Sequence, residues 1–175
     1  EQEAPIDAAT LKDWLRDCDG LLCVGDRIDQ AVLAAAPQLK VISQPAVGYD
    51  NIDIDACNRR KIPVGYTPGI LTDATADLTI THLLTAARRF CEDWDFVRSG
   101  KWQYNIPTFM LGTDIKGKTL GIIGFGQIGQ AVARRAQAFG RNIIYFDNET
   151  KNVPGCERKE LEQLLAAADF VSLHV

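Results

Sequence analysis

The sequence is short of the features that would place it at a membrane, on a nucleic acid or in a disulfide-rich secreted class. No apolar run approaches the roughly 18 residues that a membrane span requires. Positive charge is in deficit, with 19 Lys+Arg against 23 Asp+Glu and a net charge of -4, so no broad basic field exists to hold a polyphosphate backbone, and nucleic acid is not an expected partner. The five cysteines, Cys18, Cys23, Cys57, Cys91 and Cys156, never fall in CxxC spacing. That excludes a thiolate zinc site and a disulfide framework, and reduced, mostly buried thiols are expected. The opening residues EQEAPIDAAT have neither the basic nor the apolar region of a secretory leader, so a cytoplasmic protein is expected. Internal repeats and low-complexity tracts are also missing. What is present, 46% apolar and 24% charged residues over 175 positions, matches a globular chain holding one domain or pieces of two.

Periodicity divides the chain. Leu11, Trp14, Leu15 and Cys18 stand at i, i+3, i+4 and i+7, the stripe of a helix lying on a core. Short apolar runs over 21–24, 39–43 and 62–64 read as buried strands, with helices expected over 29–36 and 53–60 between them. Repeated strand–helix–strand units of this size predict a parallel sheet covered by helices. After Pro68 and Gly69, Thr72 or Asp73 is placed to cap one long helix running to about Arg98. Its apolar face, Leu78, Ile80, Leu83, Leu84, Ala87, Phe90, Trp94 and Val97, is wider than one stripe, which predicts packing against two bodies. Residues 101–118 have no clean period and read as an irregular connection.

The most informative stretch is the apolar run TLGII (119–123), which enters Gly124, Phe125, Gly126, Gln127, Ile128 and Gly129, the spacing GxGxxG. A helical pattern over 128–139 follows, then Gly140 and a further strand, NIIYF. Asp147 closes that strand, 18 residues after Gly129, within the interval expected of a ribose-binding acid. In this pattern Gly124 permits the tight turn, Gly126 lacks the Cβ that would strike a pyrophosphate, and Gly129 lets the helix approach the strand. The amides at the helix start and the helix dipole favour the anion without a basic side chain. Asp147 would accept from ribose hydroxyls and repel a 2′-phosphate, so NAD is expected in preference to NADP. Lys151 is the reservation, because a cation four residues on could assist a 2′-phosphate. The plainer alternative is that the glycines serve helix–sheet packing alone.

With that fingerprint located, the chain resembles the D-2-hydroxyacid dehydrogenases, in particular their glyoxylate and hydroxypyruvate reductase branch. The segments that carry the resemblance are LKVISQPAVGYDNID (39–53), IPVGYTPGILTDATADL (62–78), AARRF followed by VRSGKW (86–102), GKTLGIIGFGQIGQAVARRA (117–136) and DFVSLHV (169–175). The resemblance implies an α/β fold of doubly wound parallel sheets. Residues 1–70 would be part of a flavodoxin-like substrate domain. Residues 71–175 would be part of a Rossmann-type NAD-binding domain that includes the long helix. It implies substrate and nicotinamide meeting between the domains, and usually a homodimer built around that helix. It also implies that Val47 and Gly48, in the loop AVGYD, present backbone amides to the carboxylate of a small 2-oxoacid. Alone, that loop would read as an ordinary strand-end turn.

Hydride reduction of an oxoacid requires a cation and a general acid. The resemblance places the Arg, Glu and His that supply them beyond the segment matching 169–175, so no catalytic residue is expected in this chain, and the chain alone is expected to be inactive. It reads as the middle of a protein roughly twice as long. His82 reads as a packed or surface imidazole on the long helix. His174 ends a strand beyond the dinucleotide turn, where the resemblance sets it beside the cofactor. Two other functions stay open. One is an NAD(H)-responsive binding protein or co-repressor of the same fold, the other an NAD-using hydrolase. The TPGILTDATADL segment argues against the hydrolase.

Overall fold

The computed structural model describes residues 6–175; residues 1–5, part of the stretch read as free of a secretory leader, lie outside the described residues. The chain divides into two units, the first ending at Ile70 and the second spanning Leu71–Val175. Each is built on its own parallel sheet.

The first unit runs α1 (Ala8–Trp14), β1 (Gly20–Leu22), α2 (Gln30–Ala35), β2 (Val41–Ser43), α3 (Ile54–Arg60) and β3 (Val64–Gly65). Each helix starts on an aspartate. Asp7, Asp29 and Asp53 turn their carboxylates back onto first-turn amides, satisfying donors that the helix itself leaves unpaired. The strands pair in the order β1-β2-β3, with Ile42 opposite Leu21 on one side and Val64 on the other. Ile28, Leu33, Ile42 and Cys57 are fully enclosed in its core. The third strand begins two residues later than the apolar run suggests, because Ile62 points into this core before the pairing starts.

The second unit holds α4 (Thr72–Ala87), α5 (Phe90–Arg98), β4 (Thr119–Ile123), α6 (Gln127–Ala138), β5 (Asn142–Phe146), β6 (Cys156–Arg158), α7 (Leu161–Ala167) and β7 (Phe170–Leu173). Its sheet order is β6-β5-β4-β7, all parallel. The chain therefore winds outward from β4 to β6 and then crosses to the other side of β4, the order of a doubly wound nucleotide-binding half. Ala76 and Ile80 of α4 join Val132, Ala136 and Tyr145 in one core. Arg135 of α6 bonds Asp73 at 2.9 Å and Asp77 at 2.6 Å, fixing α4 along α6.

Several expectations are corrected. The single long helix to Arg98 is two helices, because Arg89 takes a left-handed φ of 55° and the Ala87 carbonyl is claimed from outside the helix by the Thr113 amide at 2.7 Å. Only a glycine allows that crossing: a Cβ on Gly112 would lie 2.6 Å from the Ala87 oxygen. Neither Thr72 nor Asp73 caps α4, whose N-cap is Leu71 with no side-chain bond. The wide apolar face is only partly covered: Ile80 and Ala87 are buried, whereas α5 has no buried residue. The thiols are less enclosed than expected, with Cys23 and Cys57 buried but Cys91 exposed. Among the described residues no helix is long and apolar enough to cross a membrane.

Candidate functional site

β4 is buried through its middle and half-buried at its two ends, and it delivers the chain into the glycine turn at its carboxyl end. β4 and β7 flank the point where the winding reverses, and ligands of doubly wound sheets bind outside the strand ends at such a point. Gly124 has φ +86°, and a Cβ there would sit 2.3 Å from the His174 carbonyl oxygen. A Cβ on Gly129 would sit 2.3 Å from the Gly124 oxygen. Both positions are thus closed by the protein's own backbone. Gly126 differs, because a Cβ there meets nothing within 4 Å. The space above it is open, and only an incoming group would object to a side chain.

Gly126 is also the N-cap of α6, and no side chain caps the helix. The first-turn amides of Gln127, Ile128 and Gly129 cannot pair within the helix, so they and the helix dipole face this space as an anion seat. Helix α6, at 12 residues, is long enough to develop that dipole.

Asp147 ends β5 beside the turn. One carboxylate oxygen accepts the Phe125 amide at 2.6 Å and the other accepts the Glu149 amide at 2.9 Å. The amides of Glu149 and Phe125 hold the Asp147 carboxyl below its ordinary range, because both bonds favour the charged form. Each oxygen keeps a further lone pair for an incoming hydroxyl. A diphosphate above Gly126 and a diol at Asp147 therefore fit the residues present, and the seat carries no basic side chain.

The expected residues fall into two groups. Gly126, exposed Gln127, half-buried Ile128 and Asp147 border the open corner. Phe125 does not present its side chain there: the ring is fully buried and stacks on Tyr145 at a centroid distance of 4.0 Å, and its amide is committed to Asp147. His174 is half-buried at the end of β7, its amide bonded to the Ile123 carbonyl at 2.7 Å and its Nε2 2.9 Å from Ser172 Oγ. Burial pushes its pKa down, so a neutral ring is favoured. His82 is exposed on α4.

In the first unit, Val47 and Gly48 lie in an exposed loop after β2. Sequence reasoning missed what shapes it. Gln44 is 3% exposed. Its Nε2 donates to the Gly48 carbonyl and, at 2.8 Å, to Asn51 Oδ1, while its Oε1 accepts from Asn51 Nδ2 at 2.8 Å and from the Cys23 thiol at 3.6 Å. Asn51 Nδ2 also reaches the Asp26 carbonyl at 2.7 Å. A buried amide with every donor and acceptor used fixes the loop's path. Also missed were two braces behind Asp147. Arg158, on β6, donates to the Asp147 backbone carbonyl at 3.2 and 3.4 Å. The Tyr145 hydroxyl donates to the Lys151 carbonyl at 2.7 Å and accepts the Lys151 amide at 2.9 Å. Both braces tie a strand residue to the turn after β5, six and 11 residues away, and no sequence motif marks either.

Residues 80–175 match the family described as D-isomer specific 2-hydroxyacid dehydrogenase, NAD binding domain. Similar curated proteins include a glyoxylate reductase of Thermococcus litoralis, 49% identical over 174 residues that cover 94% of this chain and 53% of the relative. Another is a glyoxylate reductase of Korarchaeum cryptofilum, 46% identical, covering 100% of this chain and 54% of the relative. Among solved structures, a Thermus thermophilus protein superposes with a TM-score of 0.88 at 44% identity, over 99% of this chain and 56% of that one. D-Lactate dehydrogenase of Aquifex aeolicus, complexed with NAD and lactic acid, gives 0.83 at 29% identity, over 94% and 50%. The chain spans about half the length of the curated relatives it matches. With more than half of its length inside the family's match and the glycine turn, strand order and terminal aspartate in place, the chain belongs to the D-isomer-specific 2-hydroxyacid dehydrogenases.

Proposed function

We propose that this protein is an NAD-dependent oxidoreductase that interconverts a small 2-oxoacid, glyoxylate or hydroxypyruvate, with its D-2-hydroxyacid. The observation that carries the reading is the pairing of open space above Gly126 with an ionised Asp147 bonded to the same turn. Gly126 and the first-turn amides of Gln127, Ile128 and Gly129 would hold the pyrophosphate, and Asp147 the adenosine ribose. A carboxylate at that point would repel a 2′-phosphate, which favours NAD over NADP. His174 would border the cofactor as a neutral ring. When bound, the reduced nicotinamide supplies the hydride that an oxoacid carbonyl accepts.

Val47 and Gly48 would bind the carboxylate of the oxoacid through their amides. Neither has a side chain that bonds this anion, so the path of the backbone is what matters, and the Gln44–Asn51 network holds it. The relatives named glyoxylate reductase support a small oxoacid as the substrate class. A homodimer is part of the same reading. Its support is helix α5, which buries none of its residues within this chain and carries Phe90 and Trp94 stacked on each other and each more than half exposed, apolar surface of the kind that an interface covers.

The test is NADH oxidation by the complete protein against a panel of 2-oxoacids. Turnover of glyoxylate or hydroxypyruvate, with little on longer oxoacids, is expected. NADH binding without turnover of any oxoacid would sink the enzymatic reading.

A further inference from the structure

The turn that follows Asp147 contains an anion and a cation whose charged side chains have no part in the contacts described above. Glu149 and Lys151 form an ion pair through Glu149 Oε2 and Lys151 Nζ. Glu149 is largely exposed, and Lys151 is only 31% exposed along its side chain. The geometry around them is fixed. Tyr145, itself 1% exposed, clamps the Lys151 backbone from both sides. The Glu149 amide is bonded to Asp147 Oδ1, and Arg158 holds the Asp147 carbonyl while its Nη1 is paired with Glu160 at 2.8 Å. Arg158 is therefore already engaged. Among the described residues, Lys151 is the cation of this turn whose one charged partner is a solvent-exposed side chain.

We infer that Glu149 is a specificity-determining residue of this turn: by engaging Lys151 it withholds from a 2′-phosphate the cation that would otherwise receive it. The inference rests on the dinucleotide reading above. The carboxylates of Asp147 and Glu149 together outweigh the one ammonium, so the turn presents net negative charge to an incoming 2′-phosphate. Removing the Glu149 charge leaves Lys151 anchored by its backbone but with a free ammonium, and the turn approaches neutrality. Asp147 keeps its two amide bonds, because the bond from residue 149 comes from the backbone and not from the side chain. Discrimination between a 2′-hydroxyl and a 2′-phosphate is thus set by two residues, Asp147 through its hydrogen bonds and Glu149 through the charge it neutralises.

The experiment is calorimetric titration of the folded chain with NADH and NADPH for the wild type, Glu149→Gln, and the double variant Glu149→Gln with Lys151→Met. Glu149→Gln is expected to tighten NADPH binding about three- to ten-fold, the scale of one partly screened charge pair, with NADH changed less than about two-fold. The gain is expected to vanish in the double variant and to shrink as salt rises. An unchanged NADPH affinity in Glu149→Gln would overturn the inference, and so would a gain that survives the loss of Lys151. The underlying reading fails separately: it falls, and this inference with it, if the wild type takes up no NADH at all.

Discussion

At the scale of single residues, the three glycines of the turn do different work. Gly124 and Gly129 are enclosed by backbone within 2.3 Å of where a Cβ would be, whereas Gly126 faces empty space. Gly124→Ala and Gly129→Ala should therefore unfold the second unit at lower denaturant, by more than about 2 kcal/mol. Gly126→Val should leave the unfolding midpoint nearly unchanged while abolishing NADH binding. Chemical denaturation beside a binding titration separates the two, and equal loss of stability at Gly126 would contradict the assignment. Asp147→Ala should weaken NADH by about ten-fold or more, the scale of lost hydrogen bonds to a charged group, with NADPH weakened less. Arg141 makes a different case. It is 5% exposed, its guanidinium lies 4.4 Å from the Phe170 ring centroid, and its three side-chain nitrogens have no hydrogen-bond partner among the described residues. A buried cation without partners is costly, so Arg141→Met should leave the melting temperature unchanged or higher. A clear drop would show that the ring contact outweighs desolvation.

At the scale of elements, the parts legible in the sequence are those set by local rules. The strand–turn–helix from Thr119 to Ala138 follows from an apolar run, glycine spacing and a 3.6-residue period, and Asp29 and Asp53 are read at once as helix starts. What was not legible depends on contacts far apart in the chain. The break between α4 and α5 comes from the Thr113 amide bonding Ala87 across a long loop. A helical period running through both halves cannot reveal it. β6 has no apolar run to mark it, and Cys156–Arg158 becomes a strand because Tyr145 and its neighbours pair with it. The Gln44 network is the same kind of case: Gln44 in isolation looks like a loop residue, and only folding brings Cys23, Gly48 and Asn51 to it. Gln44→Leu should cost about 1–3 kcal/mol by taking from the Gly48 carbonyl and Asn51 Oδ1 the donor they share. Hydrogen exchange across 46–51 should rise in that variant; unchanged protection would mean the loop is held by other means.

At the scale of the whole molecule, acidity and the binding corner are linked. His174 has a folded pKa pushed below its ordinary value of about 6.5 by burial. The unfolded chain then binds more protons there, so the stability this neutral ring allows is present above about pH 6.5 and is lost as pH falls below it. Asp147 has its pKa depressed by amide bonds, so its contribution persists above the ordinary carboxylate value of about 3.9 and disappears only as pH falls through its lower folded value. Melting temperature should therefore fall on acidification from about pH 7 to 5, and less so in His174→Gln. NADH affinity conferred by Asp147 should not fall for want of a carboxylate in that window. The central claim, that main-chain amides of the turn after β4 and the carboxylate ending β5 together hold a dinucleotide, is tested most directly by amide-resolved NMR titration of the chain with NADH. The account predicts saturable shifts concentrated at Gly126, Gln127, Ile128, Gly129 and Asp147. Shifts centred elsewhere in the chain, or none at millimolar NADH, would contradict it.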